Sequence, residues 1–323
     1  MCWQDRSNKS SFDTILSPTV AVFSELSAYK RELWQKECFS NLLHGIKYVT
    51  MTMDLTQEFN QNDGIFDFLG NQTSLQIGSS AKEVGIEIDY KWDYKNDSNI
   101  TPTIIFEWGN LERLLGTKVL RNAKKILSIG GGGTSNTHSY LGTNATHLFV
   151  LNPGWWDLKS ASAPADSVTF TRIRAVAENI PLIDSSISAI EIPSTLDHVV
   201  DPKRVLSECF RVLEDGGMIG ITLGNQNSWY RQLVRLIGVN PDKNHNHHHN
   251  HHFSITNVEE LLKSSGFKNI ETISTCFLRL PKFMERRIST PKALTVYHFL
   301  SNTIMSRLLG RKNGGMFLTF AKK

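Results

Sequence analysis

The sequence predicts a doubly wound α/β protein: a mostly parallel sheet with helices on both faces. Two observations carry that expectation. From about residue 103 onward, short apolar runs of strand character alternate with helix-like amphipathic segments. One of those runs, Ile126 to Ile129, stops abruptly on Gly130, Gly131, Gly132 and Gly133, followed by Thr134. Glycines turn the backbone through positive φ and let a ligand approach the main chain without meeting a Cβ. A helix opening near Thr134 to Asn136 would aim its free N–H groups into the same space, giving a nucleotide-type pocket at the carboxyl end of a parallel sheet.

The elements follow in order. Residues 1 to about 18 are polar and read as loose. Between Pro18 and Tyr48, Val22, Phe23, Leu26, Leu33, Phe39, Leu42 and others recur at helical spacing, predicting one or two amphipathic helices. Glu83 to Tyr90 alternates as a short half-buried strand does, and Asp93 to Asn99 reads as a loop. Residues 1–102 are therefore expected to form a mainly helical N-terminal extension to a domain spanning 103–323. A helix is predicted over Thr103 to Leu120, with Leu111, Leu114, Leu115 and Val119 on one side. Seven strands are expected: Ile126 to Ile129, His147 to Leu151, Ser167 to Ile173, Ser188 to Ile192, Met218 to Leu223, Lys268 to Ser274 and Gly315 to Ala321. Helices are placed over Pro202 to Leu213, stopped by Glu214-Asp215-Gly216-Gly217, and over Val258 to Ser265, capped by Ser254 or Thr256 and ended by Gly266. Residues 276–312 form a basic and apolar excursion expected to cross the mouth of the sheet.

Composition bounds the class. At 40% hydrophobic, 20% charged and a net charge of +4, the chain is an ordinary globular one. Lys and Arg are scattered, unlike the concentrated basic surface of a nucleic-acid binder. No apolar run reaches the roughly 20 residues needed to span a bilayer, and the start lacks the basic-then-apolar order of a secretory signal. Cys2, Cys38, Cys209 and Cys276 are far apart, which suggests reduced thiols in a cytoplasmic protein.

The pieces from Ala177 to Thr222 carry a resemblance. They are Ala177-Glu178-Asn179-Ile180-Pro181-Leu182, Asp184-Ser185-Ser186-Ile187, Leu196-Asp197-His198-Val199, Asp201-Pro202, Glu208, Arg211-Val212-Leu213 and Gly216-Gly217. His252-Phe253-Ser254 and Leu261 to Phe267 continue the pattern. In this order and spacing they resemble the class I S-adenosylmethionine-dependent methyltransferases, the methyltransferase type 11-like group acting mostly on small molecules. The resemblance covers about residues 105–323 and implies a Rossmann-like fold. It also implies S-adenosylmethionine as cofactor and a small-molecule or lipid-like acceptor. It puts the cofactor at Ser128, Gly130, Gly131, Gly132 and Thr134, with Asn152 at the ribose and Ala177 and Glu178 beside the adenine.

Departures from the pattern are specific. The family usually has an acid where this chain has Ser128 and Asn152, a polar residue at Val176, Asp at Ser188 and glycine at Thr134. A carboxylate accepts from both ribose hydroxyls, whereas Asn offers one acceptor oxygen. Losing that charge-assisted bond costs about 1–3 kcal/mol. The competing reading is thus a catalytically silent relative, a binding or scaffold protein on the same fold. A nicotinamide oxidoreductase is disfavoured, because Ser135 stands where a GxGxxG loop would continue.

Other candidates were read directly from residue chemistry. His198 follows the fourth strand and is the candidate general base, set against a loop-bonding histidine. Six of the eleven histidines fall in His245 to His252, a tract expected to bind metal only adventitiously, without the partners of a structural site. Trp155 and Trp156 are read as either roofing the adenine or acceptor, or anchoring the core. The 278–311 segment, with Arg279, Lys282, Arg286, Arg287, Lys292, Arg307 and Arg311, reads as a solvated helix face, set against a substrate cover, a membrane-surface helix or a docking face for an anionic carrier.

Overall fold

The computed structural model describes residues 60–62, 64–69, 100–131, 143–154, 158–159, 161, 163, 167–240 and 250–323. The helices expected between Pro18 and Tyr48, the strand over Glu83 to Tyr90, and Gly132, Thr134, Trp155, Trp156 and His245 to His249 lie outside the described residues.

The sheet holds nine strands among the described residues, not the seven expected. Two short strands from the expected extension, β1 (Asn60–Asn62) and β2 (Ile65–Asp67), join its edge, with β2 parallel to β5 (Thr169–Arg174). The order continues through β4 (His147–Leu151), β3 (Lys125–Ile129), β6 (Ile187–Pro193) and β7 (Leu213–Gly224). It ends in β9 (Met316–Lys322) and β8 (Lys268–Thr275), with β9 antiparallel to both neighbours. From β3 the chain proceeds to β4 and β5 on one side and to β6 and β7 on the other. That reversal opens a crevice beyond the carboxyl ends of β3 and β6, where doubly wound sheets bind ligands.

Each face of the sheet has its own core. Helix α1 (Pro102–Leu115) widens into a π-helical stretch, Gly116–Leu120. Its stripe of Leu111, Leu115, Val119 and Leu120 packs on Ile126, Leu148, Ala189 and Phe320. Gly220 lets it approach: a Cβ there would meet the Leu115 side chain at 2.2 Å. On the other face, α2 (Pro202–Val212) and α4 (Ile255–Ser264) bury Val205, Leu206, Val258 and Leu262 against Leu127, Ile190 and Ile221. Thr101, Asp201 and Ser254 cap α1, α2 and α4 through their side-chain oxygens, the first two followed by Pro at the first helical position. The Ser254 cap is a reciprocal box with Asn257.

Three boundaries differ from expectation. The turn expected at Glu214 to Gly217 lies inside β7, which pairs Leu213 with Ile187 and then resumes at Met218 with Ala189. The intervening residues bulge, with Gly216 at φ +79°. A helix the sequence reading passed over, α3 (Trp229–Leu236), follows β7. The 276–312 excursion contains α5 (Lys282–Glu285), α6 (Pro291–Phe299) continuing as the π-helical Leu300–Met305, and α7 (Ser306–Leu309). It springs from Thr275 and returns at Met316, paired respectively with Met316 and Gly224. Gly224 ends β7 at the same sheet edge as the Gly130 turn, so the excursion starts on the crevice side.

Candidate functional site

The crevice is built around Gly130. Its N–H donates to the Leu151 carbonyl (2.8 Å), tying the end of β3 to the end of β4. Its φ of +72° is a left-handed conformation that favours glycine. A Cβ there would lie 2.1 Å from Thr195 Oγ1. Thr195 sits just past β6 and donates to the Pro193 carbonyl (2.7 Å), so the two strand ends close on each other over glycine's missing side chain. Gly131 is buried beside it, and Gly132 and Thr134 lie outside the described residues.

Asn152, buried after β4, accepts the Gly154 N–H on its Oδ1 at 2.8 Å. The donor fixes the amide's orientation: the oxygen is held in the turn and the Nδ2 group is the end left to meet a ligand. Behind this turn stands the buried pair of Arg174 and Asp67, with Nη1 3.1 Å from Oδ1. The same guanidinium donates through Nε to the Pro153 carbonyl (3.1 Å). Neither residue was singled out from sequence. The readable signal was a charged residue directly after an apolar strand.

Ser128 is fully buried on the face covered by α1, directly paired in the sheet with Glu191 of β6. A carboxylate therefore stands one strand away from the position where the resemblance expects one. Its signal was an acid inside the otherwise apolar run Ala189 to Ile192. Glu112 of α1 is buried near it, and its carboxyl is raised to about 8, first by burial and then by the Glu191 charge. In the unfolded chain it titrates near 4.5. Below that value both states are protonated; above it the unfolded chain releases a proton the native state keeps. This contribution to stability is thus lost as pH rises from 4.5 through about 8. Glu112→Gln is expected to remove that loss, leaving the variant more stable than the parent by roughly a few kcal/mol near pH 8. Urea unfolding across the window checks this; a parallel pH profile for parent and variant would overturn it.

The remaining sequence-selected residues have mixed fates. Ala177 is buried in the turn after β5. Glu178 turns its Oε1 toward the N–H groups of Val200 (2.8 Å) and Asp201 (3.3 Å), fastening the entry to α2. Ser188 lies at the opposite end of the sheet from Gly130, where its hydroxyl accepts from the N–H groups of Lys124 (3.0 Å) and Lys125 (2.8 Å). That departure from the family pattern is remote from the crevice. Glu208 and Arg211 hold the Ile180-Pro181-Leu182 segment. Glu208 accepts from the Ile180 N–H (3.0 Å), and Arg211 donates to the carbonyls of Ile180 and Leu182 (both 2.8 Å). Contacts to Glu208 and Asp184 raise the Arg211 pKa further, so this clamp stays charged.

His198 is partly exposed, with Nε2 3.8 Å from Asp197 Oδ1. Its carbonyl accepts from Asn250 Nδ2 (2.6 Å), and the Asp197 carbonyl accepts from the Asn250 N–H (2.9 Å). The end of the histidine tract thus braces the loop carrying His198. Among the described residues, no cluster of three or more His, Cys, Asp or Glu is arranged to hold a metal.

A glycine turn at the switch point, a buried polar side chain ending the next strand and a clamped segment after the third gather at the carboxyl end of a doubly wound sheet. Residues 127–221 match the family described as "Methyltransferase domain". The matched span, under a third of the chain, is similar to S-adenosylmethionine-dependent methyltransferase domains. An uncharacterised methyltransferase of Mycobacterium bovis is 29% identical over 125 residues, covering 37% of this chain and 49% of the relative. A demethylmenaquinone methyltransferase of Lactobacillus johnsonii is 30% identical over 109 residues, covering 29% and 45%. The chain spans about half the length of the curated relatives it matches. Among solved structures, a Thermotoga maritima methyltransferase titled a possible histamine N-methyltransferase covers 68% of this chain and 92% of its own, at 19% identity and a TM-score of 0.48.

Proposed function

We propose that the protein transfers the methyl group of S-adenosylmethionine to a small-molecule or lipid-like acceptor. The observation that carries this reading is the glycine turn at Gly130, φ +72°, which ends β3 at the point where the strand order of the sheet reverses. The residues present fit the cofactor. Gly130 turns the main chain at the end of β3 toward its methionine end, Asn152 presents an amide to the ribose, and Ala177 puts a small side chain beside the adenine. Glu191 supplies, next to Ser128, the carboxylate that Ser128 lacks. The cofactor when bound brings an electrophilic sulfonium methyl, and transfer to a nucleophile needs chiefly positioning. His198 is assigned the role of accepting the acceptor's proton, held by the braced 195–200 loop. The 276–312 excursion supports an acceptor pocket, because it leaves and rejoins the sheet on the crevice side.

Calorimetric titration with S-adenosylmethionine and S-adenosylhomocysteine tests the reading. Binding heat and a thermal shift are expected; neither at ligand concentrations on the order of 1 mM would leave the scaffold reading standing. Asn152→Asp is expected to tighten binding about tenfold. One carboxylate oxygen keeps the Gly154 contact while the other accepts from a ribose hydroxyl, a gain of about 1–2 kcal/mol. An unchanged affinity would move Asn152 away from the ribose.

A further inference from the structure

The helical stretch α6 through α7 is turned inside out. Its inward side carries Tyr297, His298, Ser301 and Asn302. Tyr297 donates its hydroxyl to the Leu278 carbonyl, and Ser301 Oγ accepts from the Leu278 N–H (3.0 Å). Asn302 Nδ2 donates to both oxygens of the buried Glu107 of α1 (3.0 and 2.9 Å), and His298 Nδ1 lies 3.0 Å from the same carboxylate. The adjoining Glu285, also buried, accepts from Thr101 Oγ1 (2.9 Å) and the Leu280 N–H (3.1 Å) and pairs with Arg279 (3.3 Å). The outward side carries Val296, Phe299, Leu300, Ile304 and Leu308, with Phe299 56% and Leu308 74% exposed. A helix facing water orders these sides the other way round. The inner network fixes the helix's rotation, so the apolar stripe is held outward by satisfied buried hydrogen bonds.

The surface beside this stripe extends its character. The Trp229 N–H at the start of α3 donates to the Asn313 carbonyl (3.2 Å), and Asn313 Nδ2 donates to the Leu309 carbonyl at the end of α7 (2.6 Å). α3 and the turn after it expose Leu233, Leu236 (84%) and Ile237 (69%), and Phe283 of α5 is 64% exposed. Charge has one sign here. Over 276–312 the only acid is Glu285, which is buried, while Arg287, Lys292, Arg307 and Arg311 are exposed. A depression of about 450 Å³ among Asn302, Thr303, Ser306, Gly310 and the two arginines 307 and 311 opens on the same stretch.

We infer that this face is a docking surface for an anionic phospholipid bilayer, with α6–α7 lying on the membrane, its apolar stripe among the acyl chains and Arg307 and Arg311 on headgroup phosphates. A protein partner would be expected to meet some of these exposed cations with matched side chains. A bilayer fits without them, because fluid chains accept an apolar ridge of any shape and a surface of anionic headgroups accepts scattered cations. The inference concerns binding alone and stands whether or not methyl transfer is found.

Flotation of the full chain with vesicles tests it. Binding is expected to vesicles of phosphatidylcholine with phosphatidylglycerol, much weaker binding to phosphatidylcholine alone, and a fall with added salt. Phe299→Asp with Leu308→Asp is expected to weaken partitioning by at least about tenfold. Arg307→Gln with Arg311→Gln should weaken it about tenfold or more toward the anionic vesicles only. Circular dichroism and the midpoint of thermal unfolding establish that each variant is folded. No binding to anionic vesicles, or equal binding by folded variants and parent, would overturn the inference. So would light scattering that gives a dimer broken by the Phe299 and Leu308 changes, or hydrogen exchange that finds this stripe equally protected with and without vesicles.

Discussion

Gly130→Ala is expected to destabilise the protein by roughly 2–4 kcal/mol and to abolish measurable cofactor binding. Two costs add. An L-residue at φ +72° is strained by about 1 kcal/mol or more. The new Cβ would also overlap Thr195 at Oγ1, Cγ2 and Cβ, all within 2.6 Å, and overpacking of this kind costs about 1–3 kcal/mol. The second cost belongs to Thr195 and can be separated. Thr195→Gly removes all three atoms at the expense of its bond to the Pro193 carbonyl. In a double-mutant cycle by chemical denaturation, Thr195→Gly should return about 1–3 kcal/mol to Gly130→Ala and leave the backbone strain behind. Additive effects would mean the turn relaxes without meeting Thr195.

Arg174→Met is expected to cost about 3–5 kcal/mol, since it strands the Asp67 carboxylate in the interior and takes a donor from the Pro153 carbonyl. Arg174→Met with Asp67→Leu should recover most of that loss, because two apolar groups leave no buried charge. Loss of the Pro153 contact remains in both variants. Cofactor affinity is therefore expected to stay about tenfold below the parent even where stability returns, through a looser Asn152 turn. Denaturation and calorimetry on the same samples separate the two effects. Full recovery of affinity in the double variant would show that the guanidinium serves the fold alone.

How much of this was legible depends on how local each signal is. The strand His147 to Leu151 and the helix from Pro202 were readable because period, cap and stop all lie within a dozen residues. β2 was not, since Ile65 to Asp67 is too short to show a period and is held as a strand by pairing with β5, over 100 residues away. The bulge at Glu214 to Gly217 carried its turn signal correctly, yet the sheet continues on both sides of it. At the site, the motif residues were legible as residue types, but the bonds they make were not. Glu178 and Ser188 proved to be holding backbone N–H groups. Asp67, Arg174, Glu107 and Glu191 are isolated charges in sequence, and only the fold gives each a neighbour.

The position of β9 has a consequence for the order in which the molecule assembles. Residues 316–322 lie between β7 and β8, both made earlier, and among the described residues β8 meets the sheet only through them. Until that segment is synthesised, β7 presents an open edge of apolar strand and β8 has nowhere to dock. The hairpin that completes the sheet must also close across the whole 276–315 excursion, a slow, long-range step. The nascent chain is therefore expected to be most prone to sticking edge to edge after β7 is made and before residues 316–322 are.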